Sequence, residues 1–322
     1  MRPRRTLLTA LATVVLVLIV AACGSTSNPT AVATAKPTRP TRPTTPTRPF
    51  RIVAGENFWG SIVSQLAGKA ATVTSIVTDP NADPHDYESS SDDARAFADA
   101  DYVVLNGAGY DGWASKLLSG NPSSRRKVLT VADLLGKKEG DNPHFWYDPD
   151  FVSRVADRVE ADLKALDPAD VGYFDAQRQA FDAAMAPSRD RLAAIKSRFA
   201  GTPVATTEDI FVYLGQQLGL RVISPPDFMR AVAEGNDPPA PSVAQFQSQI
   251  TTKQATVLVY NLQTSTAVTT NIKKLATRAG VPTIGVTETI QPPGATFQQW
   301  FTSELIRLQN ALGTTALSGG GS

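Results

Sequence analysis

The chain has only two histidines, and they share a context. His85 lies in Thr78-Asp79-Pro80-Asn81-Ala82-Asp83-Pro84-His85-Asp86-Tyr87-Glu88, and His144 in Asp141-Asn142-Pro143-His144-Phe145-Trp146-Tyr147-Asp148-Pro149. Each follows a proline in a polar, acid-rich loop. Proline fixes its own φ and restricts its neighbour, so such a loop can hold a side chain at a fixed point. Neither histidine sits on an apolar helix stripe, which weakens the alternative of a packed core imidazole. The repeated Asp/Asn-Pro-His context points to a pair of metal ligands.

Two imidazoles do not complete a transition-metal site. The chain has one Cys, so thiolates cannot supply the rest and carboxylates must. Two glutamates follow apolar runs in the C-terminal half: Glu208 after PVATT and Glu288 after PTIGV. Each has a plainer reading. Glu208, with Asp209, could complement a helix dipole, and Glu288 could be a solvated loop charge.

Enzyme motifs are missing. The histidines are 59 positions apart, so no H-E-x-x-H exists, and there is no phosphate-binding loop or G-x-S-x-G. Neither histidine has an evident nucleophile partner. Trp59, Trp113, Trp146 and Trp300 could form a sugar platform, but aromatics near helix starts more often pack lobes together.

The elements that must position these residues alternate. Apolar runs at FRIVAG, ATVTSIV, DYVVLNG and RKVLTVA are separated by helical segments, and PVATT, LRVIS, ATVLVY and PTIGV repeat the pattern. Helices are expected at 209–218, 242–252, 266–279 and 296–312. Such alternation predicts α/β lobes with parallel sheets and crossover helices. Residues 168–199 carry 3–4 apolar spacing without strand signal, which predicts one long helix around Pro187. The expected domains are an N-terminal lobe at 50–167, a linking helix at 168–199, a C-terminal lobe at 200–315 and a flexible tail at 316–322. Ligands of open α/β sheets sit beyond the strands' carboxyl ends, so two facing lobes would share one cleft.

The first 49 residues are different in kind. They hold seven basic residues and no acid, leaving 24 basic against 30 acidic residues in the body, a net of −6. An acidic body makes a poor nucleic-acid binder. MRPRR followed by LLTALATVVLVLIVAA reads as a signal peptide over 1–22. It stops at Val-Ala-Ala-Cys23-Gly, which resembles a bacterial lipobox, with Cys23 the acylated mature N-terminus. A plain membrane anchor or an ordinary secretory signal is the alternative. Residues 23–49 are a Thr/Pro-rich tether that cannot build a core. No second long apolar run follows, so the body is expected outside the membrane, tethered at its outer face.

From about residue 50 to 312 the chain resembles the metal-binding lipoproteins of bacterial zinc/manganese ABC importers, the TroA-like solute-binding family. D-P-H-D-Y-E at 83–88, N-G-A-G-Y-D-G-W at 106–113 and N-P-H-F-W-Y-D-P at 142–149 carry the resemblance. Glu208 falls where the family has His or Glu, and Glu288 where many members have Asp. The resemblance implies two Rossmann-like α/β lobes joined by one rigid helix, with metal in the cleft. It implies His85 and His144 as ligands from one lobe, Glu208 and Glu288 from the other, and small movements rather than wide closure. It also implies a monomer delivering metal to a permease with a separate cytoplasmic ATPase. Two features depart from zinc-specialised members: the His-rich loop and the disulfide are both lacking.

Two imidazoles and two carboxylates suit Mn²⁺ first, Zn²⁺ next and Fe²⁺ third, since carboxylates favour harder ions and can bind through both oxygens. Asp83, Asp86, Glu88 and Asp148 could orient the imidazoles; otherwise they cap loops. A surface adhesin or structural lipoprotein, a metallohydrolase and a binder of organic ligands are the competing functions.

Overall fold

The inner strands form because their runs of Val, Ile, Leu and Ala can be buried on both faces, while the edge strands are partly exposed. In the computed structural model, residues 48–81 and 84–318 are described, with side chains as far as 314. The leader, Cys23, nearly all of the tether, Asp83 and the last four residues lie outside them. The first sheet grows from β1 (Phe50–Glu56), α1 (Asn57–Ala67), β2 (Ala71–Val77), α2 (Ser91–Asp99), β3 (Tyr102–Leu105), α3 (Gly112–Gly120) and β4 (Lys127–Thr130). Then come α4 (Val131–Leu135), α5 (Pro149–Leu166) and the long α6 (Val171–Phe199). The second half comprises β5 (Pro203–Thr206), α7 (Val212–Gln217), β6 (Arg221–Val222), α8 (Pro226–Ala233) and α9 (Ala240–Thr251), followed by β7 (Leu258–Asn261), α10 (Ala267–Ala279), β8 (Thr283–Val286) and α11 (Phe297–Ser318).

Both sheets are four-stranded and wholly parallel, in the orders β2-β1-β3-β4 and β6-β5-β7-β8. The two halves thus repeat one topology. In each, the strand order reverses beside the first strand, where the loops after neighbouring strands diverge and leave a crevice. Both sheets lie in one compact unit of the chain.

Local chemistry explains most boundaries. The Ser90 hydroxyl accepts from Asp93 N, and Asp93 reciprocates at Ser90 N, so a capping box starts α2. Asp148 caps α5, with Pro149 in its first turn. α6 runs unbroken through Pro187 and buries a stripe of Phe174, Phe181, Met185, Ile195 and Phe199.

Three hydrophobic clusters result. One joins the two lobes, running from Phe58, Trp59 and Trp146 to Phe211, Trp300 and Phe301. The others cover the outer faces of the second and first sheets. All four tryptophans are buried in packing.

Several elements differ from the sequence expectations. The RKVLTVA strand stops at Thr130, where α4 begins. α3 and α8 are additional; both are short, and Gly or Pro at their ends mutes the periodic signal. LRVIS shrinks to a two-residue edge strand. α11 continues to Ser318, beyond the expected end at 312 and into the stretch read as tail. Among the described residues no helix is long and apolar enough to cross a membrane.

Trp300 is 1% exposed in the cluster joining the lobes, and its indole N–H bonds Thr287 Oγ1 at 2.9 Å. Trp300→Ala should cost about 3–5 kcal/mol of unfolding free energy, read from the urea midpoint. A loss under about 1 kcal/mol would show that this core does not hold the lobes.

Candidate metal centre

His144 enters the site on a short 3-10 turn after Pro143. Its backbone N–H donates to Asn142 Oδ1 at 2.9 Å, and its Nδ1 lies 2.9 Å from the same oxygen. Asn142 is itself oriented, because its amide donates to Asp209 O at 2.7 Å. Asp209 Oδ1 stands 3.1 Å from His144 Nδ1. Both oxygens beside Nδ1 can only accept, so Nδ1 carries a hydrogen whatever the charge of the ring, and Nε2 is the nitrogen whose proton a cation would displace. Nε2 is buried and has no hydrogen-bond partner among the described residues.

That nitrogen faces Glu288. Glu288 Oε2 lies 3.9 Å from His144 Nε2 and 3.5 Å from His85 Nε2. One ligand atom each from His85, His144 and Glu288 fall within 4.8 Å of one another. A buried imidazole nitrogen without a hydrogen-bond partner among the described residues, beside a carboxylate and a second imidazole, is an environment a divalent cation fits. Glu288 is built in firmly: Gln263 Oε1 accepts from its backbone N–H at 2.7 Å, and Tyr110 of the other lobe donates to Oε2 at 2.6 Å.

Glu208 is equally buried but stands just outside that trio. Thr264 donates to its Oε2 at 2.8 Å, and Asn261 Nδ2 donates to its Oε1. The structure therefore brings three of the four expected residues into one cluster and sets the fourth beside it. Neither glutamate is a solvated loop charge.

Of the residues expected to orient the imidazoles, Asp83 lies outside the described residues. Asp148 caps α5, accepting from Asp150 N and Phe151 N, and is held by Gln217 Nε2 at 3.1 Å. Asp86 and Glu88 are exposed. Orientation of His144 falls instead to Asn142 and Asp209. Asp209 was visible in the sequence only as a helix-start acid, since its facing histidine lies 65 positions earlier.

Burial shapes the protonation. Burial alone would lower the His144 pKa, but the hydrogen bond and charge of Asp209, with Glu288 and Glu208 nearby, outweigh it and raise it to about 9. Burial, then the neighbouring Glu288 charge, raises Glu208. Burial, then Asp111, raises Glu56 well above its ordinary value; both its oxygens are buried without hydrogen-bond partners among the described residues. Burial raises Glu304 to about 7, against the pull of Arg307.

A two-lobed α/β protein with a buried His/carboxylate cluster at the strand ends is the class this geometry defines. Residues 52–311 match the family described as zinc-uptake complex component A, periplasmic (ZnuA). The chain belongs to that family. It is 29% identical over 134 residues to the manganese-binding lipoprotein MntA of Halalkalibacterium halodurans, covering 41% of this chain and 44% of that protein. With the iron-binding protein YfeA of Yersinia pestis it shares 28% over 184 residues, covering 54% and 58% respectively. The chain thus spans about half the length of the curated relatives it matches. The fold is that of the periplasmic zinc-binding protein TroA of Treponema pallidum: TM-score 0.68 at 18% identity, covering 82% of this chain and 99% of that one.

Each of these raised groups keeps a proton in the folded state that the unfolded chain releases at lower pH. Stability therefore falls as pH rises; for His144 the window runs from the ordinary 6.5 to about 9. Chelator-treated protein should melt at progressively lower temperature as pH is raised from about 5 to about 9. A flat or rising melting temperature would contradict the buried-proton assignment.

Proposed function

We propose that this protein captures a divalent transition-metal ion outside the cytoplasmic membrane and hands it to an ABC importer. One observation carries the reading: His85 Nε2, His144 Nε2 and Glu288 Oε2 converge in a buried cleft between two lobes. Glu208 supplies the fourth ligand, reaching the ion by a short side-chain movement. The metal is cargo, and binding it requires no chemistry on the ion.

Mn²⁺ is the favoured cargo, Zn²⁺ the next and Fe²⁺ the third. Two carboxylates with two imidazoles make an oxygen-rich set for a family with zinc in its name. Relatives are named for manganese and for iron as well. Zn²⁺ should nonetheless bind tightly in vitro, because the Irving–Williams order favours it over Mn²⁺ at most nitrogen and oxygen sites.

The importer's permease and its ATPase are separate chains. Cys23, which lies outside the described residues, is the proposed lipid anchor. It would hold a monomer at the outer face of the membrane by a tether of roughly 80 Å if extended at about 3.1 Å per residue.

The test is elemental analysis of the protein purified from its own host, then competition between Mn²⁺ and Zn²⁺. His144→Ala should weaken binding of both ions by at least about 100-fold while the protein stays folded, because it removes a ligand outright. Full metal content in that variant, or in His85→Ala, would overturn the site assignment. Absence of sub-micromolar binding to wild type would overturn the function.

A further inference from the structure

Asn261 is the last residue of β7, and β7 lies between β5 and β8 in the sheet. The chain leaves β5 toward Glu208 and β8 toward Glu288. The end of β7 therefore stands between the two glutamates, and Asn261 is 3% exposed there. Its amide orientation is fixed from behind, since Oδ1 accepts from Gln263 N at 2.9 Å. Nδ2 then carries two N–H groups into the site. One donates to Glu208 Oε1, and the other to Glu288 Oε1 at 2.5 Å.

That shared donor is the link between Glu208 and the trio of His85, His144 and Glu288. Thr264, Glu208's other donor, pulls on the opposite oxygen. Without Asn261, mutual repulsion between two buried carboxylates would push Glu208 away from Glu288.

We propose that Asn261 is a positioning residue that recruits Glu208 to the metal and thereby sets the balance between Mn²⁺ and Zn²⁺. The inference rests on the metal-capture reading above. The two ions differ in what they lose with Glu208. Zn²⁺ is satisfied by three protein ligands and a water in tetrahedral geometry. Mn²⁺ prefers a larger, oxygen-rich shell, so it depends more on the fourth residue. Each carboxylate oxygen keeps a lone pair beyond the one that accepts from Asn261, so the amide can align both glutamates while they bind the ion.

The experiment measures Mn²⁺ and Zn²⁺ affinities by chelator competition in wild type, Asn261→Ala and the isosteric Asn261→Asp. Folding is checked by thermal melting. Asn261→Ala should weaken Mn²⁺ by about 10–100-fold, the usual range for a residue behind a ligand, and Zn²⁺ by less than about threefold. Asn261→Asp, which removes the donor and adds repulsion, should shift the ratio further the same way. In a Glu208→Ala background the Asn261→Ala effect on Mn²⁺ should shrink to about twofold or less, because the intermediary is gone. Mn²⁺ and Zn²⁺ falling together, or an undiminished effect in that background, would overturn the proposal. A crystal structure of Mn²⁺-loaded wild type with Glu208 off the ion would overturn it too, whether or not the variants fold. Wild type that holds neither ion would refute the metal-capture reading itself, whereas wild type that binds both while Asn261→Ala leaves their ratio unchanged would refute only the role of Asn261.

Discussion

Two carboxylates are buried side by side, and everything around them manages that charge. Glu208 and Glu288 are both fully buried, and isolated ionised carboxylates are strongly disfavoured in such a place. The protein answers with donors: Asn261 to both, Thr264 to Glu208 and Tyr110 to Glu288. It also brings His144 close, with Asp209 keeping that imidazole basic. Local neutralisation remains incomplete without a proton or a cation. A divalent ion supplies two positive charges at once, which is why the same arrangement that burdens the fold can hold metal.

That charge can be buried only because the lobes are fastened. Tyr147, in the segment that carries His144, donates to Thr287 O beside Glu288 at 2.9 Å. Asn57 Oδ1 accepts from Ile290 N at 2.9 Å, and Tyr213 donates to Asn142 O at 3.0 Å. Beneath these contacts the shared aromatic core runs from α1 through α6 to α11. The site is therefore assembled from loops of both halves, and its dryness comes from packing that neither half supplies alone.

This division explains what could be read from the sequence. The strands were legible because short Val- and Ile-rich runs alternate with helical segments: β1 and β3 are buried as central parallel strands are, and edge strand β2 alternates in exposure. The histidine pair was legible because proline and acids flank both, and Glu208 and Glu288 because they follow strands. Asn142, Asp209 and Asn261 were not legible as a site. Asp209 faces His144 across 65 positions of chain, and Asn261 meets Glu208 across 53 and Glu288 across 27, and no local pattern encodes that; Asn142 lies two residues from His144, but its orientation is fixed by Asp209 O, 67 positions on. Glu56 is a further case: it closes β1 and is 1% exposed, a burial that no local pattern announces for a carboxylate beside a helix start.

The fastening also constrains how an ion could enter and leave. Parting the lobes would disrupt the shared cluster that holds Phe58, Trp59, Trp146 and Trp300, each now at most 1% exposed. A large aromatic buries about 150–250 Å², so at about 25 cal/mol/Å² each would cost about 4–6 kcal/mol to uncover. Four such residues make wide opening far costlier than movement of a loop. Among the three clustered residues, His144 and Glu288 have fully buried side chains, while that of His85 is 22% exposed. His85 also sits on a short turn between β2 and α2 rather than inside a packed helix. Under the metal-capture proposal, His85 is therefore the member of the cluster whose displacement would uncover the least buried surface. The 29-residue α6 adds to the cost of wide opening, because its buried face packs against α1, α5 and α11, elements of both halves.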